Sequence, residues 1–282
     1  MNWQQFELEV AQALALEYSH ATIQKNILKP GLLSRTNRQC DITIEETVDG
    51  KIEETIVEVK QRARQIDVKE IDAFSGMLRD IGVNRGILIT SKGFSKAAIN
   101  RAHFGYQDIQ LDILCFEDFN SFQGFCGIPY ANNNGILIRA PLGWVVDAQK
   151  TPFALAWLYQ RGLTLDQAQQ RKEFMYVNFW KTRKKGFIDQ LIKRQNVRMI
   201  NVYGDVPITV DNLEVHPQHQ IRLRTAHLAE NLTEISGFVE FEKFIFFCVA
   251  FCSPVSVKRI TKKVENLLRA AVPLSMKYSR PT

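Results

Sequence analysis

The sequence of 282 residues has few of the features that mark several special classes of protein. Its 15 glycines and 9 prolines are too few for a collagen-like or low-complexity chain. Hydrophobic residues make up 45% of the sequence, which is too high a fraction for a disordered chain. The five cysteines are odd in number and contain no CxxC pair, so they indicate neither a disulfide framework nor a zinc site. Such cysteines are typical of small buried side chains in a reducing compartment.

Long hydrophobic runs are also absent from the sequence. The strongest run, from Phe244 to Cys252, has nine residues, whereas about 20 are needed to span a bilayer as a helix. It predicts a buried strand instead. The N-terminal residues MNWQQFELEV have neither the basic nor the apolar region of a secretory signal. We therefore expect a soluble cytoplasmic protein with no membrane partner.

Charge is divided unequally along the chain, whose overall net charge is +6. Residues 1–125 contain 14 Lys and Arg against 18 Asp and Glu, and residues 126–282 contain 22 against 12. The first part therefore carries a net charge of −4 and the second +10. The length predicts two domains, and the asymmetry points to nucleic-acid binding by the basic part. A solvated basic surface explains the charge of that part equally well.

Hydrophobic periodicity and turn residues predict a mixed α/β domain over residues 1–124. The Asp-Gly pair at 49–50 predicts a two-residue type I′ turn between two strands. Ser91 or Ser95 can cap a later helix. The expected elements are a helix over 3–17, strands over 41–47 and 52–60, a helix over 67–81, a strand over 86–90, a helix to about 103 and a strand over 109–116. This order indicates a mixed sheet flanked by helices.

A turn-rich segment over residues 124–134 predicts the domain boundary. Residues 135–282 then predict a second, α+β domain. Its expected elements are an extended segment over 135–146, helices over 152–160, 164–184 and 186–195, strands over 199–203, 221–228 and 237–251, and a final helix over 256–271.

The predicted hairpin brings charged side chains together. If Asp49 and Gly50 form the turn, Asp41 lies directly opposite Glu58, and Lys60 shares the face of Glu58. Thr43 also lies on this face. The other face is apolar and directed to the core, with Ile42, Ile44, Val57 and Val59.

Directly opposed residues have Cβ atoms about 4.5–5.5 Å apart, so the two carboxylates repel each other unless a cation neutralises them. Mg²⁺ suits one or two carboxylates completed by water. Lys60 can then hold or polarise a water nucleophile, or stabilise charge that develops on a phosphate. The pattern is compatible with metal-assisted phosphodiester hydrolysis. From the spacing alone, the favoured interpretation is a hairpin with a polar solvent face, where Glu58 and Lys60 merely pair with neighbours, because D…ExK is a loose pattern.

An ordered series of motifs over about residues 5–118 resembles the Mrr-like branch of the PD-(D/E)XK restriction endonuclease superfamily. Cys40 stands where the motif name has proline. The matching blocks are Phe6-Glu7, Cys40-Asp41-Ile42, Val57-Glu58-Val59-Lys60-Gln61, Ile71 with Phe74, residues 86–95 (GILITSKGFS) with Ala97-Ala98, and residues 109–112 (IQLD).

The resemblance implies a DNA endonuclease with a restriction-endonuclease-like αβββαβ core that depends on Mg²⁺, for which Mn²⁺ can substitute. It implies that Asp41 and Glu58 are metal ligands and that Lys60 is the catalytic lysine. Glu7 corresponds to an outer-shell carboxylate of the first helix, and Gln61 to a polar position after the lysine. A homodimer or higher oligomer is expected because a double-strand break needs two nicks.

The second domain resembles no family known to us, and its candidate site is a basic surface. Aromatic residues over 174–180 precede its first cluster of cations and are expected to form the core face of a helix. A further basic cluster lies over 258–263. The predicted nucleic-acid-binding residues are Lys181, Arg183, Lys184, Lys185, Lys193 and Arg194.

The leading hypothesis is therefore a Mg²⁺-dependent DNA endonuclease of bacterial restriction or anti-phage defence. A DNA repair or junction-processing nuclease is the alternative among enzymes. A non-catalytic nucleic-acid-binding or sensor protein built on a nuclease fold is the alternative from another class. Tests of nicking and of DNA binding separate these hypotheses.

Overall fold

The computed structural model describes residues 2–18, 20–48, 51–106, 108–117, 124–131, 133–182, 185–213 and 219–275. The chain divides into two compact units, Met1–Phe122 and Gln123–Thr282. Within these described ranges, no helix is long and apolar enough to cross a membrane.

The first unit is a five-stranded mixed sheet with three helices. The strands follow the order β1-β2-β3-β4-β5, in which the first three are antiparallel and the last three parallel. The mixed sheet predicted from the sequence is confirmed. Its elements are α1 (Trp3–Glu17), β1 (Thr22–Pro30), β2 (Asn37–Val48), β3 (Lys51–Lys60), α2 (Val68–Asp80), β4 (Arg85–Thr90), α3 (Lys96–Phe104) and β5 (Gln110–Cys115).

The β2-β3 hairpin has the predicted register, with Ile42 opposite Val57 and Val48 opposite Lys51. The turn residues Asp49 and Gly50 lie outside the described residues. The apolar face of the hairpin is completely buried, as expected, through Ile42, Ile44, Val57 and Val59. The ladder between the two strands ends at Ile42 and Val57, beyond which β2 continues beside β1 and β3 beside β4. The two strands therefore separate just where Asp41 and Glu58 follow.

Local signals explain where the first unit's helices begin. Asp67 caps α2 and forms a capping box with Glu70, which satisfies backbone N–H groups at the helix start. Ser95 caps α3. Helix α2 buries its apolar face against the sheet at Gly86, where an added Cβ would lie 2.6–2.8 Å from side-chain atoms of α2. That close approach requires a glycine.

The second unit contains two antiparallel sheets. One has seven strands in the order β11-β12-β13-β14-β10-β9-β8, and the other has three in the order β15-β7-β6. Its elements are β6 (Phe125–Ala131), β7 (Asn134–Arg139), β8 (Trp144–Asp147), β9 (Ala156–Gln160), α4 (Leu165–Gln170), β10 (Phe174–Lys181), α5 (Ile188–Tyr203), β11 (Ile208–Leu213), β12 (Gln220–Ala229), β13 (Leu232–Glu240), β14 (Phe244–Cys252), α6 (Val257–Arg269) and β15 (Val272–Ser275).

Several sequence predictions for this unit are wrong. The expected helix over 152–160 is strand β9, and the one over 164–184 is a short helix followed by β10. The expected strand over 199–203 belongs to α5, and that over 237–251 is two strands, β13 and β14. The turn-rich segment over 124–134, which predicts the domain boundary, contains β6.

Burial on both faces explains these errors. In β10, Met175 and Val177 belong to the core cluster that includes the α6 side chains, whereas Tyr176 and Trp180 pack on the cluster formed with α5. A strand covered on both faces is apolar along its whole length, and such a run cannot be told from a buried helix by periodicity.

Candidate active site

The predicted catalytic residues lie where β2 and β3 separate. Asp41 Oδ2 accepts a hydrogen bond from the backbone N–H of Val59 at 2.9 Å, although Asp41 falls one position beyond the last β2-β3 ladder pair. Lys60 Nζ forms an ion pair with Glu58 Oε1. Strand β3 here pairs with β4 in parallel, so Glu58 lies beside Leu88 and Lys60 beside Thr90. The structure thus brings these three side chains to one region of the sheet.

The two carboxyl groups are electrostatically unfavourable as they stand. Burial raises the pKa of Asp41, against the hydrogen bond from Val59 and the charge of Lys60, which lower it. Burial also raises the pKa of Glu58, and the Asp41 charge raises it further, against the hydrogen bond and charge of Lys60. Both carboxylates therefore favour a neighbouring positive charge, because desolvation and mutual repulsion disfavour their ionised forms.

A third carboxyl group comes from the first helix. Glu7 is buried on α1, and its Oε1 accepts a hydrogen bond from Asn26 Nδ2 at 3.3 Å. Burial raises the pKa of Glu7, and the charge of Asp41 raises it further. Gln39 Nε2 in turn donates to Asn26 Oδ1 at 3.2 Å. Glu7 therefore lies within electrostatic range of Asp41.

Asn26 is a site residue that the sequence reasoning missed. It lies within β1 with φ of 55°, a left-handed conformation in which Asn is enriched among non-glycine residues. Strand β1 was not predicted, because its alternation of polar and apolar residues is irregular and most of its side chains are exposed. Nothing in the local sequence marks Asn26 as a partner of Glu7.

The donor chemistry of this region fits a hard divalent cation. Mg²⁺ is commonly bound through one or two carboxylates and water, and Asp41 and Glu58 supply two partly desolvated carboxylates. Across the part of the chain that the structure describes, no three His, Cys, Asp or Glu side chains form a group that could hold a metal ion by themselves. Gln61 follows directly after β3 and is half-buried.

The predicted basic surface of the second unit is partly described. Lys181, Lys185 and Lys193 are exposed, as is Arg194, whose guanidinium carbon lies 4.7 Å from the ring centre of Trp180. Arg183 and Lys184 lie outside the described residues. The aromatic residues that precede this cluster lie on strand β10, so their expected place on a helix face is wrong.

The cations over 258–263 do not all face solvent. Arg259 is buried and donates two hydrogen bonds to Glu173, at 2.8 and 2.7 Å. Lys263 is also buried and donates to the backbone carbonyl of Leu142. Burial of these two side chains removes them from the candidate nucleic-acid surface, because a phosphate could not reach them.

Comparison with solved structures gives weak likenesses. A crystal structure of a protein of unknown function, AF1548, is 21% identical with a TM-score of 0.31; the match covers 39% of this chain and spans 56% of that one. LpqN, involved in cell envelope biogenesis of Mycobacterium tuberculosis, is 7% identical over 53% of this chain and 90% of its own, with a TM-score of 0.40. Cyanobacterial PsbP (CyanoP) from Synechocystis sp. PCC 6803 is 9% identical, with a TM-score of 0.35, and the match covers 54% of this chain and 93% of that one.

Comparison at the level of sequence is more informative for the first unit. No curated protein matches the chain. Residues 1–112 match a family model, Mrr_cat, which is described as restriction endonuclease. The match contains Glu7, Asp41, Glu58 and Lys60 and confirms the resemblance predicted from the sequence motifs. Residues 1–112 of this chain are thus a match to the Mrr-type restriction endonuclease domain.

Proposed function

We propose that the chain is a divalent-metal-dependent endonuclease that hydrolyses DNA phosphodiester bonds. The observation that carries the proposal is the convergence of Asp41, Glu58 and Lys60 where β2 and β3 separate, inside the segment that matches a restriction endonuclease family. The element order α1-β1-β2-β3-α2-β4 supports assignment of the αβββαβ nuclease core to the first unit. Restriction or anti-phage defence is the biological role that this family favours.

Asp41 and Glu58 are the residues that would hold Mg²⁺ or Mn²⁺, with Glu7 as an outer carboxylate. When bound, the ion supplies Lewis-acid stabilisation of the charge that develops on the phosphate. The hydrogen bond from Val59 N–H fixes the Asp41 carboxylate in place. The ion pair with Glu58 holds the Lys60 ammonium at the site, so Lys60 can donate to a phosphate oxygen or orient the attacking water.

The second unit would hold the nucleic acid. Its exposed cations Lys181, Lys185, Lys193 and Arg194 can contact phosphates, which attract Lys and Arg without regard to base sequence. Arg183 and Lys184 belong to the same proposal by their position in the sequence. A dimer would supply the second catalytic site that a double-strand break needs.

A plasmid assay tests the proposal. Purified protein is incubated with supercoiled plasmid and Mg²⁺, Mn²⁺ or EDTA, beside the variants Asp41→Asn and Lys60→Ala. Nicking should require the divalent ion and fall by about 10²–10³-fold in each variant, since each loses a group that stabilises developing charge. Lys69→Ala is the matched control, because Lys69 is an exposed lysine on α2 of the same unit.

Two results would contradict this proposal. Wild-type protein that binds plasmid but leaves it intact with every divalent ion would favour the non-catalytic nucleic-acid-binding or sensor function. Equal loss of nicking in the Lys69 control would show that lysine removal acts through general charge rather than through the site.

A further inference from the structure

One residue of β1 departs from strand conformation at the position opposite Asp41. The residues on either side of Asn26 pair with the residues on either side of Asp41, in the same register that holds along the rest of the two strands. Asn26 therefore falls opposite Asp41. It is nevertheless the one residue of β1 that has no partner in the ladder, and its φ is 55°. The departure is thus confined to the pair that contains a candidate metal ligand.

The left-handed conformation of Asn26 is unfavourable for a residue with a side chain. Asparagine adopts it more readily than most other residues, but Asn26 gives up the place in the ladder that its neighbours keep. Sparsely populated backbone conformations persist where surrounding contacts impose them, and they cluster at active sites. The contacts of the Asn26 side chain therefore show which neighbours are served by this conformation.

The Asn26 side chain joins the first helix to β2. Its Nδ2 donates to Glu7 Oε1 at 3.3 Å, and its Oδ1 accepts from Gln39 Nε2 at 3.2 Å. An amide has one donor end and one acceptor end, so the bond from Gln39 leaves the donor end for the carboxylate. Glu7 is buried, whereas Asn26 and Gln39 are exposed. A buried carboxylate needs a donor of this kind, because burial without a hydrogen bond is costly.

The same Glu7 carboxylate interacts with Asp41. Glu7 lies on α1 and Asp41 on β2, and their charges are close enough to affect each other. Two carboxylates in this relation repel each other, so Glu7 stays near Asp41 only if other groups hold it there. Asn26 supplies a neutral hydrogen-bond donor, and Lys25 supplies a nearby positive charge.

We propose that Asn26 is a positioning residue, which holds the Glu7 carboxylate near Asp41 so that Glu7 can accept a hydrogen bond from a hydration water of the divalent ion. The inference rests on the proposed function, in which Asp41 and Glu58 hold that ion. The hydrogen bond from Asn26 is made to Oε1 of Glu7, so Oε2 is the oxygen that would accept from the water. Residues that orient the groups around a metal commonly change its affinity by about 10–100-fold when they are replaced.

The affinity for Mn²⁺ measures this role without any cleavage. The full chain is titrated with Mn²⁺ in the absence of DNA, and free Mn²⁺ is followed by electron paramagnetic resonance. Asn26→Gly removes the side chain but tolerates the φ of 55°, so we expect about tenfold weaker binding and a Tm near that of the wild type. Asn37→Gly is the matched control, because Asn37 is an exposed asparagine of β2, and it should leave the affinity unchanged.

A double-mutant cycle tests whether Asn26 acts through Glu7. Glu7→Ala should weaken Mn²⁺ binding by itself, and adding Asn26→Gly should cause no further loss, because no carboxylate remains to be positioned. A merely structural role of Asn26 would weaken binding equally with and without Glu7. Glu7→Gln, which keeps the shape of the side chain and removes its charge, serves in the cycle if Glu7→Ala does not fold.

The outcomes separate the role of Asn26 from the nuclease. Unchanged Mn²⁺ affinity in Asn26→Gly, or equal weakening in both backgrounds, overturns the positioning role. The proposed function still stands in that case if the wild type binds Mn²⁺ and nicks plasmid. A wild type that neither binds Mn²⁺ nor nicks plasmid overturns both.

Discussion

Asp80 and Asp41, two carboxyl groups of the first unit, lie in environments that shift their pKa values in opposite directions. Asp80, at the end of α2, accepts hydrogen bonds from the backbone and side chain of Ser34, from Arg38 and from the backbone of Leu33, and these bonds hold its pKa well below the usual range. Asp41, on β2, accepts one backbone hydrogen bond, and burial raises its pKa. The ionised form is therefore stabilised at Asp80 and destabilised at Asp41.

This difference shows that the Asp80 charge stabilises the fold and the Asp41 charge does not. The donors around Asp80 are groups of residues 33–38 and tie the loop over residues 31–36 to α2, so the charge there stabilises the fold. At Asp41 and Glu58 the two charges oppose each other, and each is only partly compensated by Lys60. Such a pair costs stability and is typical of functional sites.

Removal of the Asp80 charge should produce the largest change in stability. We expect Asp80→Asn to lower the Tm by several degrees at pH 7, because an amide keeps only one of the two acceptor oxygens and has no negative charge to pair with Arg38. The lowered pKa in the folded state means that this stability is present above the ordinary Asp pKa and is lost as the pH falls through the lowered value. Thermal melts over a series of pH values measure the effect.

Asp108→Asn is the control for that experiment. Asp108 is exposed and forms an ion pair with Arg79 at 3.0 Å, and exposed pairs contribute little to stability. If both variants lose the same Tm, the distinction drawn for Asp80 is wrong.

A smaller change of opposite sign is expected at the candidate site. Asp41→Asn should raise the Tm at pH 7 in the absence of divalent ions, because it removes a buried charge that also disfavours ionised Glu58. Since the folded pKa of Asp41 is raised, the cost of its charge is full above that pKa and disappears as the pH falls below the ordinary Asp value. The Tm difference between variant and wild type should therefore shrink in acid.

Titration with Mg²⁺ completes this test. Binding to the folded state alone stabilises by about 2.7 kcal/mol when the ion is present at 100 times its Kd. The wild-type Tm should rise with Mg²⁺, whereas that of Asp41→Asn should rise much less. A lower Tm for Asp41→Asn in metal-free buffer would contradict the proposed strain.

The sequence predicted much of the first unit because its signals are local. The Asp-Gly pair at 49–50 predicted the register that β2 and β3 have, and Ser95 was one of two serines predicted to cap α3. The position of Asp41 could be predicted only approximately. The point where β2 and β3 separate depends on how β3 pairs with β4, which the local sequence does not show. Asn26 could not be predicted, since its role depends on a left-handed conformation in an exposed edge strand.

The second unit was harder because its signals are not local. Strand β10 is buried between two layers, and its aromatic residues imitate a helical core face. Arg259 and Lys263 look like members of an exposed basic cluster, but α6 directs them into the protein. Their partners Glu173 and Leu142 are far away in sequence, so no local pattern separates them from Lys258.

The smallest expected effects concern cations of the second unit, where exposed lysines are compared with the buried Arg259. Lys185→Ala and Lys193→Ala should each weaken plasmid binding modestly and reduce the slope of log affinity against log salt by about one, because each removes one phosphate contact. Lys150→Ala, an exposed lysine of the same unit outside the cluster, is the matched control. Arg259→Ala should instead lower the Tm and leave the salt slope unchanged, since Arg259 is satisfied by Glu173. Equal slopes for the wild type and both lysine variants would remove these residues from the DNA surface.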